Sequence, residues 1–139
     1  MKYLRIIDPE GVERRKMRRL KRRRYVTPGP NFLWHIDGWE KLVPFGLYIH
    51  GAIYGYTRRI LWLEVNSTNK NAKVVASHYI DTVEQLGGVP RRRRCDKGTE
   101  NNVIGTMQTF FRWQDHDQFS ASKSFLQGKS SANQRIEAW

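Results

Sequence analysis

The hydrophobic rhythm of the chain changes several times, and each change marks an element. FLWHIDG is aromatic and β-branched and ends in glycine, which predicts a first strand over Phe32–Gly38. After the breaker Pro44-Phe45-Gly46, LYIHGAIY predicts a second strand over Leu47–Tyr54, and ILWLEV a third over Ile60–Val65. Three strands in succession with brief connections predict an antiparallel meander. The period then lengthens. Val75, Tyr79, Thr82 or Val83, and Leu86 recur every three to four residues, so Ala72–Leu86 reads as an amphipathic helix closed by Gly87-Gly88. Val89–Cys95 fits a short strand, and Asn101–Phe111, with Val103, Ile104, Met107, Phe110 and Phe111, a second helix. Arg112–Ser131 is polar and rich in Gln and Ser and reads as a loop with little structure, and Ala132–Trp139 as the first turns of a further helix. Meander, helix, strand and helix together predict the α/β class, a mixed sheet with helices packed on it.

The N-terminal residues follow no such rhythm. In ERRKMRRLKRRR the only apolar positions are Met17 and Leu20, and like charges at helical spacing repel, so residues 1–24 read as a basic arm, loosely helical or disordered when free. YVTPGPN, residues 25–31, holds two prolines around a glycine and reads as a linker. The core is then 32–139.

Charge sharpens this division. Of a formal net charge of +12, residues 1–30 carry +8, from 11 Lys or Arg against Asp8, Glu10 and Glu13. Such asymmetry calls for a polyanionic partner. A membrane-spanning role is not expected: the longest charge-free stretch, which begins at Leu42 and contains Pro44 and His50, falls short of the ~20 apolar residues needed to span. The opening MKYLRIIDPEG lacks the apolar region of a signal peptide, and a single cysteine, Cys95, fits a reducing compartment. The expected location is intracellular, and the arm also suits a nuclear localisation signal.

Two acids stand where chemistry is commonly mounted. Asp37 lies near the end of the first predicted strand, in an otherwise apolar sequence, and Asp96 follows the strand after the first helix, in VPRRRRCDKGTENN. Two carboxylates brought together repel, and a divalent cation relieves that repulsion. A third acid usually completes a phosphoryl-transfer site, and Glu137 in SSANQRIEAW is the candidate. For each acid an ordinary reading competes: a turn acid for Asp96, a turn cap or a partner of Lys41 for Asp37.

WHIDGWEKL with PFGLYIHGAI, then RCDKGTEN, then NQRIEAW, resemble in order the integrase catalytic core of retroviral integrases and DDE transposases, in particular integrase-core proteins derived from eukaryotic transposons. The resemblance runs from Pro28 to Trp139. It implies an RNase H-like fold, an antiparallel three-strand meander plus a parallel strand with flanking helices, and DNA integration by two-metal phosphoryl transfer with Mg²⁺ or Mn²⁺ on Asp37, Asp96 and Glu137. It also implies that Gly98 permits a tight turn, and that the core is cut short at its C-terminus, two residues after Glu137. DNA is the expected partner, held by its phosphates with little sequence preference through Arg14, Arg15, Lys16, Arg18, Arg19, Lys21, Arg22, Arg23 and Arg24 of the arm and Arg91, Arg92, Arg93 and Lys97 beside Asp96. Self-association into a homo-oligomer is left open. The alternative is a non-catalytic nucleic-acid-binding or interaction module that keeps the fold and the arm without the chemistry.

Other polar residues read as structural. His35 shares the face of Asp37 on a strand, so a His-x-Asp metal pair is conceivable, but a packed core histidine is the expectation. Glu100 is expected to help cap the following helix, Asp115, His116 and Asp117 to face solvent, and Trp34, Trp39 and Trp62 to belong to the core.

Overall fold

The computed structural model describes residues 2–17, 26–128, 133 and 136. The predicted meander forms as β1 (Leu33–Trp39), β2 (Tyr48–Tyr54) and β3 (Ile60–Asn66), with β1–β2 and β2–β3 antiparallel and a register shift at Ala52/Ile53. The pleat sends alternate side chains to opposite faces. Trp34, Ile36, Ala52 and Trp62 therefore meet on one face, where they form the core with Val75, Ala76, Tyr79, Cys95 and Ile104.

Within the arm, Lys2–Ile7 (α1) and Pro9–Met17 (α2) are helical, while residues 18–24 lie outside the described residues. Local chemistry accounts for α2. Pro9 presets the first-turn backbone, Asp8 accepts from Gly11 N at 2.8 Å as a cap, and Glu10 pairs with Arg14 one turn on at 3.1 Å. Tyr3, Ile6 and Ile7 of α1 remain exposed.

The long helix α3 (Ala72–Leu86) has the predicted bounds, with Asn71 accepting from Lys73 N at 3.1 Å and Gly87 closing it in the left-handed region at φ 66°. Val75, Ala76, Tyr79 and Thr82 form its buried stripe. The chain then enters β4 (Arg92–Cys95), shorter than predicted, because Val89 and Pro90 precede the ladder. Pairing enters with Arg91 N and Arg92 N donating to Asn31 O and Phe32 O. Helix α4 (Asn102–Phe111) follows a 3-10 turn over Thr99–Asn101.

The stretch Arg112–Ser131 corrects the sequence reading. Instead of a loop with little structure, it contains a 3-10 turn, Ala121–Ser124, and a fifth strand, β5 (Phe125–Gln127), parallel to β4. Three residues are too few for a period-2 signal, and tertiary contacts hold them: the Phe125 ring lies under α4, so close to Gly105 that a Cβ there would sit 2.7 Å from it. The loop before β5 is organised by Asp117, which accepts from Arg91 Nε at 2.9 Å, from Phe119 N at 2.7 Å and from Arg112. Asp117 does not simply face solvent. Desolvation opposes the shift, but the bonds from Arg91, Phe119 and Arg112 hold its carboxyl down at about 2.

The complete sheet runs β3-β2-β1-β4-β5. No helix among the described residues is long and apolar enough to cross a membrane. Opposite the helices, Trp39, Ile49, Gly51, Ile53 and Leu63 line a cavity of about 570 Å³ that also includes Asp37, Lys41 and Ile136. Trp34 and Trp62 are buried as expected, but Trp39 is 43% exposed at this cavity instead of in the core.

Candidate active site

Strand register relates the two aspartates. β1 and β4 pair in parallel from Leu33↔Arg92 to His35↔Arg94. His35 and Arg94 close that ladder, and Asp37 and Asp96 each stand two residues further on. Across the other ladder, the partner of Asp37 is Gly51, which carries no side chain. The shared environment registers on the buried thiol of Cys95. Burial pushes it up to about 11; Arg93 pulls it down, and Asp96, Glu100 and Asp37 add to the rise.

Each acid is held locally. Asp37 Oδ1 accepts from Gly38 N at 3.1 Å. Asp96 Oδ1 accepts from Gly98 N at 3.3 Å and from Asn101 Nδ2 at 3.0 Å, and the same amide reaches Glu100 Oε1 at 3.1 Å. Asn101 is itself anchored from below, its carbonyl accepting from Arg93 Nη2 at 3.3 Å. The φ of Gly98, −70°, is one that any residue adopts, and a Cβ there would lie 1.8 Å from Glu100 Oε1, the end of a flexible side chain. The glycine leaves room for Glu100 to fold back toward Asn101 and Asp96.

The C-terminal segment meets the same strand tips. Asn133, 1% exposed, donates from Nδ2 to Ile36 O at 2.8 Å, and its Oδ1 lies 2.8 Å from His35 Nδ1. His35 is a buried core histidine engaged with that amide, as the plainer reading had it. Ile136 N donates to Asn133 O at 3.1 Å, and Ile136 lines the cavity with Asp37. Glu137 lies outside the described residues. Among the described residues no group of three or more His, Cys, Asp or Glu side chains is gathered to hold a metal ion. Asp37 and Asp96 are nonetheless hard oxygen donors of the kind such an ion takes, one within β1 and one directly after β4.

The basic residues divide. Arg14 is exposed and paired with Glu10; Arg15 and Lys16 lie in α2; Arg18, Arg19, Lys21, Arg22, Arg23 and Arg24 lie outside the described residues. Lys97 is exposed directly after Asp96. Arg91 is tied to Asp117, and the Arg92 guanidinium lies 4.6 Å from the Phe119 ring centroid. Arg93 departs from the predicted phosphate-facing set. It points to the helix side of the sheet, is 0% exposed, and covers the Phe125 ring at 4.4 Å. Strand alternation explains the split: within β4, Arg93 and Cys95 face the core and Arg92 and Arg94 the other side, while Arg91 precedes the strand.

Sequence reasoning missed Asn101 and Asn133, the two amides that hold this site. Asn133 carried a faint signal as a cap-type residue one turn before Glu137; Asn101, in a polar run, carried none.

A five-stranded mixed sheet with acids at the tips of its central parallel strands, and helices α3 and α4 behind it, is an RNase H-like α/β core. The family described as Integrase core domain matches residues 24–139, and the chain belongs to that family. No curated protein matches the chain.

Proposed function

We propose that the chain acts on DNA phosphodiesters by metal-dependent phosphoryl transfer, with Asp37, Asp96 and Glu137 as the acids. The observation that supports this reading is the parallel β1–β4 register, whose last pair, His35 and Arg94, stands two residues before Asp37 and Asp96, with Asp37 lining the cavity. Integrase cores as a family depend on divalent metal and bind DNA. Asp37 and Asp96 would hold Mg²⁺ or Mn²⁺ here, with Glu137 as the third donor, and the ion would supply Lewis-acid polarisation of the phosphate and activation of water or a 3′-hydroxyl. The protein's own groups do the positioning. Gly98 N–H and the Asn101 amide fix Asp96 Oδ1, so its orientation is set before substrate arrives. Lys97 and the arm would neutralise backbone phosphates, giving binding without sequence preference whose log affinity falls with log salt by about 0.9 per contact. The basic arm also suits a nuclear localisation signal, which supports a nuclear location.

Calorimetric Mn²⁺ titration of the wild type and of Asp37→Asn/Asp96→Asn, with a nicking assay on Asp96→Asn, tests the reading. Metal binding and nicking should both vanish in the variants. The second reading, a non-catalytic nucleic-acid-binding module, draws on the +8 of residues 1–30. DNA binding unchanged by metal and by Asp96→Asn, with no nicking in the wild type, would establish it instead.

A further inference from the structure

We infer that Asn133 is a positioning residue: its amide ties the C-terminal segment into the gap where β1 and β4 part, and so sets where Glu137 meets Asp37 and Asp96. The inference rests on the phosphoryl-transfer reading for its functional consequence, and on hydrogen bonds of described residues for its geometry.

The gap is defined by backbone direction. Phe32 O accepts from Arg92 N on β4, and carbonyls along a strand alternate in direction, so Ile36 O, four residues on, also points toward β4. The β1–β4 ladder stops at His35↔Arg94, and the Ile36 carbonyl is taken by Asn133 Nδ2 at 2.8 Å. The side chain thus sits between the backbones that next bear Asp37 and Asp96. Its second bond is forced by the first. A carbonyl only accepts, so Nδ2 faces Ile36 O, Oδ1 faces His35, and His35 Nδ1 carries the proton. Both ends of a buried amide are therefore used against β1, across a separation of 97 and 98 residues. The Asn133 carbonyl then accepts from Ile136 N, and Ile136 lines the cavity with Asp37. Glu137 is the next residue in the chain.

A side chain that only stabilised the fold would not couple to one particular acid. The test compares Asn133→Ala, Glu137→Gln and the double variant of the full chain by Mn²⁺ calorimetry, with hydrogen exchange of a peptide covering residues 129–139. Asn133→Ala should weaken Mn²⁺ binding about tenfold or more, the scale of lost outer-shell support, and speed exchange in that peptide while β1–β3 stay protected. The double variant should bind no more weakly than Glu137→Gln alone. Losses that multiply would overturn the inference, as would unchanged exchange in the 129–139 peptide. A wild type that binds no Mn²⁺ removes the phosphoryl-transfer reading and with it the role assigned to Glu137, while the exchange data still decide whether Asn133 docks the segment. Should Asn133→Ala unfold the sheet, a second pair decides. His35→Gln, whose amide can still donate to Asn133 Oδ1, should keep the peptide protected and Mn²⁺ affinity near wild type. His35→Leu should lose both, and equal behaviour of the two would refute the clasp.

Discussion

Arg93→Met should make the protein more stable and its acidic site looser. Arg93 is wholly buried among Tyr79, Cys95 and Phe125, with no carboxylate partner in the described ion pairs, and neither Nε nor Nη1 finds a hydrogen-bond acceptor. Burial lowers its pKa from the ordinary 12.5 to about 10, against smaller opposing pulls from Cys95 and Tyr79. That depression corresponds to about 3 kcal/mol of stability forfeited while the group is charged in both states. The sign follows directly. The cost is complete at any pH below about 10 and fades only as pH rises from there toward 12.5. Methionine keeps the unbranched stem and its contact with the Phe125 ring. It leaves Asn101 O without its side-chain donor in a buried place, a loss of about 1–3 kcal/mol. The balance is a gain of about 1 kcal/mol, some 2–4 °C in Tm for a domain of this size. Urea denaturation at pH 6, 7.5 and 9 should show the same gain at each, because the guanidinium is charged throughout. A loss of more than about 2 kcal/mol would refute the reasoning and imply a countercharge for Arg93. Loosened Asn101 should also lower Mn²⁺ affinity several-fold, so the arginine trades stability for a fixed Asp96.

Gly105→Ala should destabilise by about 1–2 kcal/mol in urea denaturation, because a Cβ there would meet the Phe125 ring at 2.7–3.2 Å. Helix propensity alone predicts the opposite, a gain of about 1 kcal/mol, and that result would show that α4 and β5 are not in close contact. His50 is buried with Nδ1 accepting from Trp62 Nε1 at 3.1 Å, and its pKa is lowered from 6.5 to about 4 by burial, with His78 and Arg93 adding to the shift. The unfolded chain therefore takes up this proton first as pH falls, and stability present above pH 6.5 should drop by about 2 kcal/mol by pH 5. His50→Gln should flatten that step in thermal unfolding measured from pH 7.5 to 5, and an undiminished step would assign it to another group.

What was legible in the sequence depended on how long each pattern ran. The meander and α3 announced themselves because seven-residue strands and a fifteen-residue helix give several periods of signal. Strand β5, three residues beside polar neighbours, gave less than two, and it exists because β4 offers an edge and Gly105 admits the Phe125 ring. Asp37 could be named from its place in an apolar run, and Asp96 from its place after the strand that follows the first helix. Their register could not, since it depends on parallel pairing between segments separated by the whole of α3. The arginine run misled for a related reason. Charge counted along a chain treats all four alike, whereas the pleat turns Arg93 under α4 and gives the neighbours Arg91 and Arg92 to Asp117 and Phe119.

The same pleat shows how the site is supported from both sides of one sheet. On the helix side, buried Arg93 holds the carbonyl of Asn101, whose amide holds Asp96. On the other side, buried His35 and the Ile36 carbonyl hold Asn133, which leads by one turn to Ile136 and the cavity of Asp37. In each case a titratable or cationic core group is hydrogen-bonded to an asparagine, and that asparagine lies in a segment that bears an acid. Amides suit this task because they donate and accept without charge, so they bridge core to carboxylate without altering the net charge on which cation affinity depends. Replacing either by aspartate would keep the shape, lose a donor and add a negative charge beside the acids. Replacing either by leucine would keep burial and lose both bonds. On the proposed reading the division of labour separates cleanly by experiment: the carboxylates would set whether a cation binds, and the two amides how well the carboxylates are aimed.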